Sequence, residues 1–196
     1  MSGELFRYVP QIDQVGVDDD PAVVQLLADR DRQLEDYLSL LSAETALATT
    51  VYRTTSQTIL DQTFTNISFD AYHDDDFGIF AAGTNLTVDR AGLYQPTAAV
   101  QWTANPAGVR QAAIALNANV GAGNFGTCLG QDTRGATPGA NGTSYVTSHA
   151  IAGRPVRMEP GDYLNLHVYQ TLGTGGSLAV PAVAGMPSLS IVWLGD

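Results

Sequence analysis

The sequence contains no lysine: all nine of its cationic residues are arginine. Codons for Ala, Gly and Arg are GC-rich and those for Lys are not, so this bias points to a GC-rich genome of origin. Twenty acidic residues outweigh the arginines and give a formal net charge of -11. Nucleic acid and anionic membranes need a cationic face, so neither is an expected partner. Cys128 is the only cysteine, which excludes an intrachain disulfide and a thiolate metal site. The opening MSGELFRYVPQIDQ lacks a basic stretch followed by an apolar one, so export by the usual secretory route is not expected. No apolar run approaches the roughly 20 residues of a membrane helix, so no membrane insertion is expected. Only 15% of the residues are charged and 44% are hydrophobic, which places the 196-residue chain among globular rather than disordered proteins.

Motifs for chemistry are equally scarce. Nucleophile elbow, phosphate loop and zinc patterns are absent. GAGNFG at 121–126 lacks the full spacing and the following helix of a dinucleotide loop. His73 beside Asp74, Asp75 and Asp76 is the densest set of potential ligands. Such carboxylates can hold calcium, but adjacent Asp residues point in different directions, and a solvated acidic loop is the commoner outcome. No metal ligand set or cofactor is therefore expected. His149 and His167 lie in alternating segments without an acid or nucleophile partner, which suits surface or interface positions better than catalysis. Cys128 reads as a small half-buried residue. Asn66, Asn85 and Asn141 begin N-x-Ser/Thr sequons that mean little without export. The chain is thus expected not to be an enzyme.

Three zones remain. Residues 1–20 form a polar arm ending in Asp18, Asp19 and Asp20. Residues 21–47 read as a helix, with Asp20 as cap and Pro21 in the first turn, where its missing donor costs nothing. Val23, Leu27, Arg30, Leu34, Tyr37 and Leu41 follow a 4-3-4-3-4 spacing, a heptad seam in which Arg30 is the exception. The seam fits either an amphipathic helix packed on its own chain or a short trimeric coiled-coil stalk. Residues 48–196 switch to a period of two. Tyr94, Pro96, Ala98, Val100 and Trp102 alternate with Gln95, Thr97 and Gln101. Leu164, Leu166 and Val168 alternate with Tyr163, Asn165, His167 and Tyr169. Leu189, Ile191 and Trp193, then Ala112, Ile114 and Leu116, then Ile67, Phe69 and Ala71, continue the pattern. Such strands bury one face and wet the other. Turn signals between them predict an all-β head, an antiparallel jelly-roll sandwich of about 8–10 strands. Pro96 has no N–H for a ladder, which predicts an edge or a bulge there.

The stretch LTVDRAGLYQPTAAVQW resembles the V-x-x-x-G-x-Y strand pair of the tumour-necrosis-factor and complement-q type jelly roll, with Val88, Gly92 and Tyr94 in the motif positions. VRMEPGDYLNLHVYQ is similar to that family's L-x-x-G-D-x-V-x-L-x-V segment, with Gly161 and Asp162 in the turn. PSLSIVWLGD is similar to its terminal strand. The resemblance covers residues 48–196 in order. It implies a homotrimer whose final strand lies at the trimer centre, commonly on a stalk; the sequence departs from it in lacking a Gly-X-Y tract. The opening PQIDQVGVDDDPAVVQLLADRDRQLEDYL resembles the start of small structural proteins encoded near the tail genes of phages infecting actinobacteria. Together these imply a virion component assembled in the host cytoplasm: a minor tail or fibre-like protein, docked to other virion proteins through residues 1–47. A capsid decoration protein, a head fibre and a non-viral complement-like or cytokine-like binding module are the alternatives. Contact with a host-surface glycan or protein is expected from the loops at 121–143 and 173–187.

Overall fold

The computed structural model describes residues 30–32, 34, 47–136, 145–173 and 175–195. The chain divides into two compact units, Met1–Thr45 and Ala46–Asp196. Of the first, Arg30, Asp31, Arg32 and Leu34 are helical and exposed. The arm at 1–20 and the seam positions Val23, Leu27, Tyr37 and Leu41 lie outside the described residues.

The second unit holds thirteen strands among its described residues: β1 (Ala48–Tyr52), β2 (Gln57–Leu60), β3 (Thr65–Asn66), β4 (Ala71–Asp75), β5 (Leu86–Thr87), β6 (Gly92–Trp102), β7 (Val109–Leu116), β8 (Thr127–Gly135), β9 (Thr147–Ala152), β10 (Val156–Met158), β11 (Tyr163–Thr171), β12 (Ser177–Val180) and β13 (Ser188–Gly195). The first sheet runs β10–β6–β13–β1–β4, with β9 also on β6; the second runs β3–β11–β7–β8, with β5 also on β11. β2 and β12 form a small two-stranded ribbon. All pairs are antiparallel, and the two large sheets make a jelly-roll sandwich, as the alternation predicted.

The core forms where the apolar phases of both sheets meet. Val51, Tyr94, Val100, Trp102, Leu189 and Ile191 from the first sheet face Ala112, Ile114, Leu164, Leu166 and Val168 from the second, all buried. Each such side chain is worth about 1.5–3 kcal/mol when fully buried, so a single inward-facing row carries much of the fold.

Pro96 departs from expectation. It lies on β6, inside the sheet, paired with Ile191 of β13 and without a bulge at that point. Its carbonyl accepts a hydrogen bond from Gly153 N (2.9 Å). N–H and C=O of one strand residue point to the same side, so the missing donor faces Gly153. That residue lies where the neighbouring chain leaves β9 and has not yet entered β10. The Gln95 side-chain amide donates to the Gly153 carbonyl in place of the absent N–H. A Cβ on Gly153 would lie 2.7 Å from Pro96 Cγ, so glycine is needed opposite the ring. The proline is tolerated because its own gap coincides with a gap in the ladder.

Two more expectations are corrected. Residues 127–135, read as part of a loop, form β8, paired with β7 along its length. An edge strand is held by main-chain bonds, and this one is mostly exposed, so it needs few strand-forming side chains. The odd face of β11 is not wet throughout: Asn165 and His167 are buried. The Phe64 ring packs on His167 and Tyr169, and the Phe125 ring on Phe64 and His167, so this part of the sheet has a second, smaller apolar cover. The Ile67–Ala71 segment is mostly a link between β3 and β4, although Ile67 and Phe69 are buried as the alternation required.

Candidate functional site

The motif positions come together, as structure rather than as a binding pocket. Gly161 N donates to Val88 O and Val88 N to Asp162 O, both at 2.9 Å, so the two turns are zipped to each other. Asp162 accepts from Glu159 N and from the Asn117 side-chain amide, each at 2.8 Å. The Glu159 N–H, then the Asn117 amide, hold its carboxyl below the usual carboxylate range despite partial burial. The Tyr94 hydroxyl donates to Arg90 O (2.8 Å). The Arg90 guanidinium lies 4.1 Å over the Trp193 ring, and a Cβ on Gly92 would meet Trp193 Nε1 at 2.2 Å. Gly92 therefore leaves room for the indole to pack at the mouth of β6.

The acidic cluster is also spent on local structure. Asp75 accepts from Thr49 Oγ1 and from the Ile79 and Phe80 backbone N–H groups. Asp76 accepts from Ala48 N. His73 stacks on Tyr52, ring centroids 4.2 Å apart. Among the described residues no three His, Cys, Asp or Glu side chains converge as metal ligands would. His149 and His167 are buried rather than at the surface, because one faces the sandwich interior and the other lies beneath the Phe64 and Phe125 rings. Burial lowers the pKa of both; for His149, the nearby Asp132 carboxylate opposes the shift. Cys128 is exposed rather than half-buried.

The feature that stands out is the outward face of the first sheet. Inward positions on β1, β6 and β13 are core, so the outward ones are Ala48, Thr50 and Tyr52, then Leu93, Gln95, Thr97, Ala99 and Gln101, then Ser188, Ser190, Val192 and Leu194. All are exposed or half-buried in the single chain. None of the residues of these three strands is Asp, Glu, Arg or His. β9 adds Ser148, Ala150 and Ala152 on the same side. Charge is met only at the margins, with Asp74 on β4 and Arg157 on β10. In a head whose ten carboxylates outnumber its six arginines, a six-stranded face with an uncharged centre and mostly small side chains can meet a second copy without repulsion and without desolvating ions. Alternation alone marks Gln95, Thr97 and Gln101 only as the wet side of a strand. Sheet order was needed to see that three uncharged strands lie side by side.

No protein-family model and no curated protein matches the sequence. Solved structures do match in fold. Eiger TNF from S. frugiperda superposes with a TM-score of 0.53 at 12% identity, over 77% of this chain and 94% of that one. Murine APRIL at pH 5.0 superposes with a TM-score of 0.52 at 13% identity, over 76% of this chain and all of that one (100%). At these identities the likeness is one of fold: a jelly roll of the tumour-necrosis-factor type.

Proposed function

We propose that the chain is a non-enzymatic structural protein that works as a homotrimer, its heads joined through the outward face of β6, β13 and β1. The uncharged centre of that face carries the reading: on it, identical copies of a head in which ten carboxylates outnumber six arginines approach without like-charge repulsion. The shared fold supports it, since the tumour-necrosis-factor type resemblance implies trimers with the final strand at the centre. In this reading residues 1–47 dock to other proteins of a tailed-phage virion, with Val23, Leu27, Arg30, Leu34, Tyr37 and Leu41 as the stalk seam. The head then projects outward and contacts the host surface, as in a minor tail or fibre-like protein. The lysine-free composition and the phage-like opening support this setting.

Light scattering on the full chain tests the assembly: the expected mass is three times 20.7 kDa, and the monomer mass overturns it. Antibody labelling of particles in electron micrographs tests the setting. Label at the tail is expected, and label confined to the shell moves the protein to a decoration or head-fibre role. Purified head should compete with host adsorption if the loops engage a receptor; lack of competition removes that part of the reading.

A further inference from the structure

Among the described residues, eleven buried side-chain polar atoms lack a hydrogen-bond partner, and seven of them belong to Arg110, His149, Gln170 and Trp102. These four lie at one end of the sandwich interior. Arg110 shares its inward face with Ala112 and Ile114 of β7, and its register neighbours are Arg134 on β8 and Gln170 on β11. Trp102 and His149 face inward from β6 and β9 of the opposite sheet, where Trp102 pairs with Thr147. Directly opposed residues on one sheet face have Cβ atoms about 5 Å apart, so the two arginines stand side by side.

The charges do not cancel. Asp132 is the carboxylate of this group, and it lies 2.7 Å from Arg134 Nε and 3.2 Å from His149 Nδ1. The latter contact is an ion pair only when His149 is protonated, and it lacks hydrogen-bond alignment. Burial pushes the Asp132 carboxyl up, and the Arg134 and His149 contacts more than offset this, so it stays ionised. Arg110 has no ion-pair partner among the described residues, and its exposure is 0%. A guanidinium cannot shed its proton in a protein, and an uncompensated buried ion is strongly destabilising. Two guanidinium charges against one carboxylate leave a single positive charge, with His149 neutral.

We propose that Arg110 is the base of a binding site for one small monovalent anion, of chloride size, held between the sheets. The donors suit a halide: the Arg110 guanidinium and the Trp102 indole N–H present only N–H groups. Gln170 Oε1 is an acceptor, but a guanidinium has five N–H donors, so four remain even if Gln170 takes one. Full enclosure of Arg110 and Trp102 disfavours a larger organic anion. Entry is from the Arg134 side, where that side chain, directly across from Arg110 on the neighbouring strand, is 52% exposed. The site lies on the interior faces, away from the proposed assembly face, and does not rest on the trimer reading.

The test uses the full chain. Crystals soaked in bromide are expected to give an anomalous peak at the Arg110 guanidinium; no peak there, or peaks only at exposed arginines, overturns the proposal. At constant ionic strength, replacing gluconate by chloride at about ten times its dissociation constant should raise Tm by about 3–5 °C. Arg110→Met should abolish that response; a folded Arg110→Met that retains it also overturns the proposal. If the variant does not fold, the bromide position decides alone.

Discussion

Replacing Val192 by Asp would place a carboxylate at the centre of the uncharged face. Val192 lies on β13, between Ala48 of β1 and Gln95 of β6, pointing away from the core. In a lone head the new side chain meets water, so the fold should lose no more than about 0.5 kcal/mol, as at ordinary surface sites. In an assembled head it would be buried with no cation on β1, β6 or β13 to pair with. An uncompensated charge in such a place costs about 3–5 kcal/mol, and a trimer carries it in three copies. The loss is about 9–15 kcal/mol per trimer, and each 1.4 kcal/mol is tenfold in an equilibrium constant. The trimer dissociation constant should therefore rise by at least about a millionfold. Light scattering over a dilution series should show the mass drop to that of one chain, while circular dichroism keeps the β signature. Thr133→Asp, on exposed β8 of the other sheet, serves as the control and should stay assembled. A Val192→Asp protein that remains trimeric at micromolar concentration would refute the placement of the interface.

Three further outcomes are expected. Gly92→Ala should destabilise the head by about 3 kcal/mol, from overpacking and positive-φ strain together, since its Cβ would meet Trp193 at 2.2 Å and its φ is +155°. Thermal melts should show a drop of about 6–12 °C. Asp162→Ala should cost about 2 kcal/mol through two lost hydrogen bonds to a charged acceptor, discounted for partial exposure. Because the folded pKa of Asp162 is lowered, its contribution is present above the ordinary carboxylate pKa of about 4 and fades as pH falls through that range. The variant should flatten that part of the stability profile in acid. His149 and His167 are held neutral by burial, so the unfolded chain binds more protons below about pH 6.5. Chemical denaturation between pH 7 and 5 should show stability falling with pH, and the double variant His149→Gln, His167→Gln should lose most of that slope.

What could be read from the sequence follows from how much of each strand's fate was set by its own side chains. β6 and β11 were legible because their inward residues are large and apolar in strict alternation, and Val100, Trp102, Leu164, Leu166 and Val168 are all fully buried. β8 was not, because Thr127–Gly135 is held by pairing with β7, and its side chains mostly face water. Asn165 and His167 misled for a related reason: what buries them is the distant Phe64 and Phe125, brought over the sheet by the fold. Gly92 and Asp162 stood out through the family resemblance, and the fold sets Gly92 against the Trp193 indole and Asp162 on Glu159 N and the Asn117 amide. The uncharged face was spread over three segments far apart in the chain. Arg110 did leave a signal: it continues the apolar phase of Ala112, Ile114 and Leu116, and a cation in that phase marks a buried charge.

Hydrophobic alternation has a blind spot that Pro96 removes. A strand that slips past its neighbour by two residues keeps every side chain on its proper face, so the inside–outside pattern of β6 cannot by itself reject that misalignment. With Pro96 opposite Gly153, the ring needs a partner without a Cβ, and the carbonyl across from it needs the Gln95 amide. Slipped by two, the same ring would press on Ile151 or Pro155 and leave a ladder carbonyl without its donor. The proline thus acts as an indexing notch, admitting one alignment of the β9–β10 arm out of a set that burial alone would treat as equivalent.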